Sequence, residues 1–278
     1  MRYSMNIKNS FIIAQKDWLE VRQNKSTFLP IMIVPLVFIV FIPLLITLLL
    51  PNLAGAVEDF TSDPDMQTFF TAMPAEMKKV LEGLDSTQTM IVTMLGYIFA
   101  PMFLIVPLMF STTIAAESFA GEKERKTLES LLYLPISDQE LFLGKVMAAA
   151  IPAIVITWIC FFLYTIIVNA APYASFGRLW FPLPMWWLLI FWVSPALVAM
   201  SISLTVMIST KVQTFQGAYQ TSSSVVLVVV VFFIGQMTGV LFLSPLVALV
   251  MGLVFWGIAA IIGSVAVRSF NRQKLLTD

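Results

Sequence analysis

Charged residues are absent from five long stretches of this 278-residue chain, and these stretches predict its membrane-spanning elements. The charge-free ranges are 26–57, 86–116, 146–177, 179–210 and 212–267. A helix needs ~20 predominantly apolar residues to cross the hydrocarbon of a bilayer. Each of the first four ranges therefore holds one helix, and the fifth is long enough for two helices joined by a tight turn near Ser244-Pro245.

The resulting prediction is an all-α integral membrane protein, because strand edges would leave backbone groups without hydrogen-bond partners in lipid. The six predicted transmembrane helices cover residues 28–50, 89–113, 145–169, 185–209, 222–241 and 245–267. They form a transmembrane domain at 28–267, preceded by residues 1–27 and followed by a tail at 268–278.

Lysine and arginine are distributed unequally between the two sides of the predicted membrane. With six spans both termini lie on one side, which carries thirteen Lys and Arg residues against three on the other. Because cytoplasmic loops are enriched in these residues, we expect the termini and the loop at 114–144 to be cytoplasmic. The acidic loop at 51–87 is then extracytoplasmic.

The composition narrows the class of protein further. Hydrophobic residues make up 59% of the chain and charged residues 12%, with a mean hydropathy of +0.91, which excludes a soluble domain of ordinary composition. Histidine is absent, and the single cysteine, Cys160, lies in the third predicted span. We therefore expect no disulfide framework, no metal site and no nucleic-acid partner.

Two segments outside the spans carry structure signals of their own. Residues 6–27 mix apolar side chains and Trp18 with Lys and Arg, which is typical of a helix lying on the inner membrane surface. The alternative is a polar leader. The apolar run at Phe11–Ala14 is too short for the core of a cleavable signal peptide, so we expect the first span to be retained.

The 51–87 loop is predicted to form two short helices. Asp63-Pro64 has the pattern of an N-cap followed by proline at the first helical position, and a second helix starts at Pro74 and ends at Gly83. Their shared apolar side comprises Phe69, Phe70, Met73, Met77, Val80 and Leu81. These helices rest on the outer membrane face, cover the mouth of a pathway, or serve only as a packing cap.

The segment GEKERKTLESLLYLPISDQELFLGKV, which begins at Gly121, surrounds an apolar run with the densest charge in the chain. We expect Gly121 to break the second transmembrane helix, a short helix to occupy 126–134, and Pro135 to end it. The S-x-x-E spacing of Ser137 and Glu140 predicts a capping box at the start of the third transmembrane helix.

Leu128, Leu131 and Leu132 lie on one face of that short helix, because residues three and four apart are neighbours on a helix surface. Flanking charges of alternating sign favour a docking surface for a partner protein, on which leucines fill a groove and charges fix the register. The alternative is that the leucines pack against the inner ends of the chain's own helices.

The same segment resembles the region between the second and third membrane helices of ABC-2 type permeases, the membrane subunits of one class of ABC transporters. The resemblance rests on Gly121-Glu122, Thr127-Leu128-Glu129, Leu131-Leu132, Pro135-Ile136-Ser137 and Gly144-Lys145. The six-helix layout and the amphipathic N-terminal segment agree with that family, whose fold is the type V exporter-like transmembrane domain.

The resemblance implies that 114–144 contains a coupling helix, which docks on a separate ATPase subunit, and that 1–27 contains a connecting helix. The functional unit is then two permease subunits, identical or homologous, with two ATPases that bind ATP and Mg. The implied docking residues are Glu122, Arg125, Thr127, Leu128, Glu129, Leu131, Leu132 and Pro135. A smaller second contact is implied at Lys211, Gln213 and Phe215.

Many members of that family place re-entrant helical turns between the fifth and sixth helices, where this chain is very short. Residues 235–245 would have to supply them by breaking the fifth helix. Gly235 and Gly239 favour either such a break or ordinary close helix packing, since small residues four apart let helices approach.

The chain contains no G-x-x-x-x-G-K-[S/T] string, so we expect it to have no ATPase activity of its own. We also expect no ionisable residue within the spans, which argues against a secondary transporter. The favoured function is export of an amphipathic or lipid-like substrate across a prokaryotic plasma membrane. The alternatives are a secondary transporter or a membrane subunit with an assembly or regulatory role.

Overall fold

The computed structural model of the protein describes residues 6–127 and 136–269. The α-helices in these ranges are Ile7–Gln23, Lys25–Leu36, Ile42–Leu49, Ala54–Thr61, Pro64–Ala72, Ala75–Leu81, Ser86–Ile91, Phe99–Phe103, Ile105–Ala116, Glu122–Glu124, Asp138–Ala170, Tyr173–Phe176, Pro184–Leu188, Ser194–Ser209, Phe215–Ser222, Val226–Met237 and Pro245–Ser269. Shorter π-helical segments cover Val37–Phe41, Val92–Ile98, Glu117–Gly121 and Leu189–Val193, and 3-10 turns cover Leu50–Leu53 and Ser223–Val225.

Several of these helices join end to end into six stretches that are long and apolar enough to cross a membrane. We call them the first to sixth spans: Lys25–Thr61, Ser86–Glu124, Asp138–Ala170, Pro184–Ser209, Phe215–Met237 and Pro245–Val267. The predicted all-α architecture with six transmembrane helices is confirmed. The second and fourth spans are the most buried of the six, and the others surround them.

The first span is longer than the sequence predicted at both ends. The N-terminal helix stops at Gln23 and the span begins at Lys25, because Asn24 has a ψ of 90° and so leaves the helical conformation. The prediction of one helix through residue 27 is therefore wrong. At the other end the span continues to Thr61, past Glu58 and Asp59, the charged residues that follow the charge-free range.

The two short helices of the 51–87 loop are confirmed at Pro64–Ala72 and Ala75–Leu81. Asp63 caps the first, accepting a hydrogen bond from the Asp65 amide at 2.8 Å. The apolar side that they share faces inward, with Phe69, Met73 and Met77 buried. The Phe69 ring lies 5.4 Å from that of Phe242, so these helices cover the turn between the fifth and sixth spans.

That turn has a simpler form than a re-entrant element. The fifth span ends at Met237, and residues 238–244 form a turn with no helical segment before the sixth span starts. Gly239 has a φ of +71°, and a side chain there would lie 3.4 Å from the Phe69 ring. A side chain at Gly235 would meet Leu241 at 3.2 Å. Both glycines thus make close contacts within the chain at this turn, and neither contact joins two spans.

An aromatic cluster fills the centre of the fold between the second, third and fourth spans. Trp186 is fully buried, with its ring centroid 5.2 Å from that of Tyr164, 5.4 Å from Phe103 and 4.8 Å from Phe181. Aromatic pairs at these separations stabilise a core beyond their buried area alone. The cluster fixes the third and fourth spans against the second.

The π-helical segment Val92–Ile98 explains why polar side chains enter this apolar centre. The carbonyl oxygens of Leu95, Gly96 and Tyr97 accept hydrogen bonds from the side chains of Tyr164, Trp186 and Gln236, in that order, each at 2.7 Å. Pro101 lacks the N–H that an α-helix would direct to the Tyr97 carbonyl. Because lipid offers no donor, neighbouring spans must supply one.

We expect Tyr164→Phe to lower stability, because the Leu95 carbonyl loses its side-chain donor while the ring packing is retained. The loss should be about 1 kcal/mol, read as a lower midpoint of thermal unfolding in detergent. Tyr173→Phe makes the same chemical change at an exposed position and should leave the midpoint unchanged. Equal midpoints for the two variants would contradict this account.

Candidate functional site

Charged and polar side chains from three elements meet where the N-terminal helix crosses the end of the second span and the start of the third. We call this cluster the charged junction, and its members are Lys16, Asp17, Glu20, Glu117, Ser118, Glu122, Arg125 and Lys145. In a chain with so few charged residues, four carboxylates and three cations at one place mark it as the candidate site.

Lys145 is the centre of the charged junction and has no exposed surface. Its ammonium donates hydrogen bonds to Glu122, to the Ser118 carbonyl at 2.6 Å and to Asp17 at 3.3 Å. Ser118 in turn donates its hydroxyl proton to Asp17. The ammonium also lies 5.6 Å from the centroid of the Phe119 ring, within cation–π range.

Lys16 adds a second, half-exposed layer on the same carboxylates. Its Nζ lies 2.6 Å from Glu122, 3.2 Å from Asp17 and 3.3 Å from Glu20. Partial burial disfavours the charged form, but the hydrogen bonds and attraction from Glu122 and Asp17 outweigh it and raise the pKa of Lys16. The lysine therefore stays protonated at every physiological pH.

Arg125 closes the junction from the end of the second span. Its guanidinium lies 2.8 Å from Glu117 and 3.0 Å from Glu20. Burial opposes its charge, but the hydrogen bond and attraction from Glu117, followed by the attraction of Glu20, raise the pKa of Arg125. One carboxylate oxygen from each of Asp17, Glu20 and Glu122 lies within 4.8 Å of the others, and the lysine ammonium groups contact these same carboxylates.

The N-terminal helix is held against the third span by a second set of contacts beside the junction. Glu140 accepts hydrogen bonds from the amides of Ser137 at 2.7 Å and Asn6 at 2.6 Å, and the predicted capping box is confirmed. Ser10 donates its hydroxyl proton to the Glu140 carbonyl at 3.0 Å. At Gly144 a side chain would lie 2.8 Å from the Ser10 carbonyl, so only glycine permits this approach.

The structure revises two predictions about the end of the second span. Gly121 does not break the helix: its backbone is helical, and the helix continues to Glu124 before turning at Lys126, where φ is +57°. Without a side chain, Gly121 leaves room for the Glu117 carboxylate, which lies 3.2 Å from where its Cβ would be. The helix predicted over 126–134 therefore cannot start at Lys126.

Glu122, predicted as a docking residue, is only 1% exposed and faces Lys16 and Lys145 within its own chain. Its position contradicts the expectation that its carboxylate is offered to a partner. Arg125 and Thr127 are exposed at the same helix end. The other predicted docking residues lie outside the described residues: Leu128, Glu129, Leu131, Leu132 and Pro135.

The second predicted contact lies next to the first. Lys211 and Gln213 are exposed, and the Phe215 amide donates a hydrogen bond to Glu124 at 2.8 Å. The Phe215 ring stacks on Tyr219, with the centroids 5.9 Å apart. The loop between the fourth and fifth spans is thus attached to the end of the second span.

Most of the charged junction was not predicted from the sequence. The expectation that the spans carry no ionisable residue is wrong at their ends, because Glu117 and Glu122 lie within the second span and the buried Glu140 and Lys145 lie within the third. The signal was the clustering of charge at 117–126 and 16–22, but nothing in it specifies that these two segments pair.

Two apolar cavities lie between the spans, away from the junction. One, of about 290 Å³, is lined by side chains of the third, fourth and sixth spans, including Val146, Ile202 and Trp256. The other, of about 520 Å³, lies between the fourth, fifth and sixth spans beside Met200 and Phe232. Their linings are suited to hydrocarbon groups.

Comparison with known families gives this geometry a context. Residues 11–244 match the family described as ABC-2 family transporter protein. The chain belongs to the ABC-2 transporter family. The matched region includes most of the N-terminal helix, the whole charged junction and the first five spans. Neither the curated proteins nor the solved structures that were compared gave a match.

Membership in the ABC-2 family identifies this chain as a multi-pass membrane permease of an ABC transporter. Permeases of this family partner with an ABC ATPase and are generally not catalytic themselves. The junction therefore lies in a transport subunit, where ionic groups are expected to hold helices in position rather than to react with a substrate.

We expect Lys145→Met to destabilise the ABC-2 permease by about 3–5 kcal/mol, because it leaves buried carboxylates without their central cation. Thermal unfolding in detergent measures this loss, and adding Glu122→Gln should recover part of it. Lys8→Met, at an exposed position of the N-terminal helix, is the matched control. If the Lys145→Met protein were as stable as the control, the charged junction would not contribute to the stability of the fold.

Gly144→Ala tests the contact between the N-terminal helix and the third span. The added methyl group would overlap the Ser10 carbonyl, and overpacking of this kind costs roughly 1–3 kcal/mol. Gly257→Ala places the same group in open space on the sixth span and should cost nothing. The comparison is read from thermal unfolding, and a harmless Gly144→Ala would show that the helix shifts freely.

Proposed function

We propose that this chain forms the membrane pathway of an ABC exporter and that a separate ATPase subunit docks on its 121–135 segment. The observation that carries the proposal is the charged junction. It joins the base of the docking segment to the N-terminal helix and to the third span, so a displacement of that segment moves all three elements together.

In this proposal the residues of the segment divide between two roles. Glu122 anchors the segment inside its own chain through Lys16 and Lys145. The surface offered to the ATPase comprises Arg125, Thr127, Leu128, Glu129, Leu131, Leu132 and Pro135. Lys211, Gln213 and Phe215 extend it, supported by the hydrogen bond from Phe215 to Glu124.

The complete transporter is then two permease subunits, identical or homologous, with two ATPases that bind ATP and Mg. Termini and docking segment lie in the cytoplasm, and the short helices Pro64–Ala72 and Ala75–Leu81 lie outside. The membrane is the plasma membrane of a prokaryote. Apolar cavities between the spans support an amphipathic or lipid-like substrate, because hydrocarbon groups are favoured in such linings.

Co-purification with an ABC ATPase encoded in a neighbouring reading frame tests the docking surface. A buried leucine contributes ~1.5–3 kcal/mol, and a carboxylate in its place must be desolvated, so Leu131→Asp combined with Leu132→Asp should abolish association. Membrane insertion should be retained. Leu179→Asp, at an exposed position between the third and fourth spans, should bind normally. Unchanged binding by the double variant would reject this surface.

Substrate export is tested separately by reconstituting the complex in vesicles. ATP hydrolysis by the ATPase should rise in the presence of the transported amphipathic compound, and that compound should accumulate on the side away from the ATPase. Hydrolysis without movement of any tested amphiphile would leave the family membership intact but contradict the proposed substrate class.

A further inference from the structure

The fifth span is attached to the second span at both of its ends by polar contacts. At one end Gln236 is fully buried, and its amide nitrogen donates a hydrogen bond of 2.7 Å to the Tyr97 carbonyl. At the other end the Phe215 amide donates a hydrogen bond to Glu124. On the second span, which runs from Ser86 to Glu124, the first contact lies within the segment Val92–Ile98 and the second lies at the terminal residue Glu124.

Between these two ends the fifth span has little other polar attachment. In its helix Val226–Met237, the buried residues are Val229 and Gln236. Leu227, Val231 and Ile234 are more than half exposed. Toward the sixth span, which follows it in the chain, the fifth span faces the apolar cavity of about 520 Å³. The polar contacts of the fifth span therefore attach it to the second span.

The Tyr97 carbonyl oxygen, which accepts the Gln236 hydrogen bond, lies one helical turn before a proline. Pro101 deprives the Tyr97 carbonyl of its ordinary helical donor, and a carbonyl at membrane depth must find a partner. Only a donor can satisfy it, so the amide nitrogen of Gln236 is fixed as the contacting atom. The proline on the second span and the glutamine on the fifth span thus form a complementary pair.

We propose that Gln236 is a positioning residue that holds the second and fifth spans together as one unit. The proposal concerns the permease by itself, and its consequence for transport rests on the proposed function. When the ATPase moves the docking segment at the end of the second span, the fifth span moves with it over its full length. Loss of the Gln236 contact frees one end of the fifth span.

The first test needs only the purified permease. Spin labels are placed through Thr87→Cys at the start of the second span and Val240→Cys after the fifth, in a Cys160→Ser background diluted with unlabelled protein. Gln236→Met keeps the side-chain length and removes the donor, so the distance distribution between the labels should broaden and shift to longer values. Gln220→Met, at an exposed position of the same span, should leave the distribution unchanged.

Adding Pro101→Ala distinguishes the attachment of the fifth span to the second span from the thermal stability of the whole protein. It restores a backbone N–H that can satisfy the Tyr97 carbonyl, so the double variant with Gln236→Met should regain thermal stability even if Gln236→Met alone folds poorly. The tether would still be missing, and the broad distance distribution should persist. A narrow, wild-type distribution in the double variant or in Gln236→Met would overturn the proposal.

The second test uses the complex with the ATPase. In the labelled protein that retains Gln236, the distance between the labels should be the same in the nucleotide-free and ATP-bound states. A change in that distance would contradict the proposal that the second and fifth spans move as one unit. In the double variant the amount of substrate transported per ATP hydrolysed should fall while hydrolysis continues. If no ATPase associates, the proposed function fails, but the label distances in the permease alone still decide the role of Gln236.

Discussion

The burial of one ammonium group constrains the architecture of this permease more than any other single feature. Lys145 has no contact with solvent, and its charge is tolerated because Asp17, Ser118 and Glu122 surround it. A buried ion pair is stabilising only when its geometry is close to ideal and its remaining hydrogen-bonding groups are satisfied. Three separate elements must therefore take up their observed positions together.

Buried polar groups in the apolar centre of the fold also need hydrogen-bond partners from neighbouring elements. There the polar groups are backbone carbonyls of the π-helical segment Val92–Ile98, and their partners come from the third, fourth and fifth spans. Apolar packing is not directional and lets helices slide or rotate, whereas a buried hydrogen bond is lost after a shift of about 1 Å. The second span is thus positioned by polar contacts at its charged end and within the segment Val92–Ile98, and by apolar contacts elsewhere.

Features encoded by neighbouring residues were predictable from the sequence, and features encoded by distant pairs were not. The six spans follow from gaps in charge, and the Ser137–Glu140 capping box and the Asp63-Pro64 helix start follow from local spacing. The inward position of Glu122 depends on Lys16, 106 positions away, and Lys145 meets Asp17 across 128 positions. A single sequence carries no signal for such pairings, so Glu122 was misplaced among the outward-facing docking residues.

Glu122 also changes how the mixed charges of 117–126 are understood. Alternating signs suggested a single surface that selects a partner, but the helix places Glu117 and Glu122 on its buried side while Arg125 spans the boundary. The charges therefore serve two surfaces, one that fixes the segment to its own subunit and one that the proposed function offers to an ATPase. A docking segment on a loose base would absorb the motion of its partner, since flexible chain yields before packed helices do. In the proposed function, the segment has its base fixed by buried ion pairs and instead transmits that motion to the N-terminal helix and the third span.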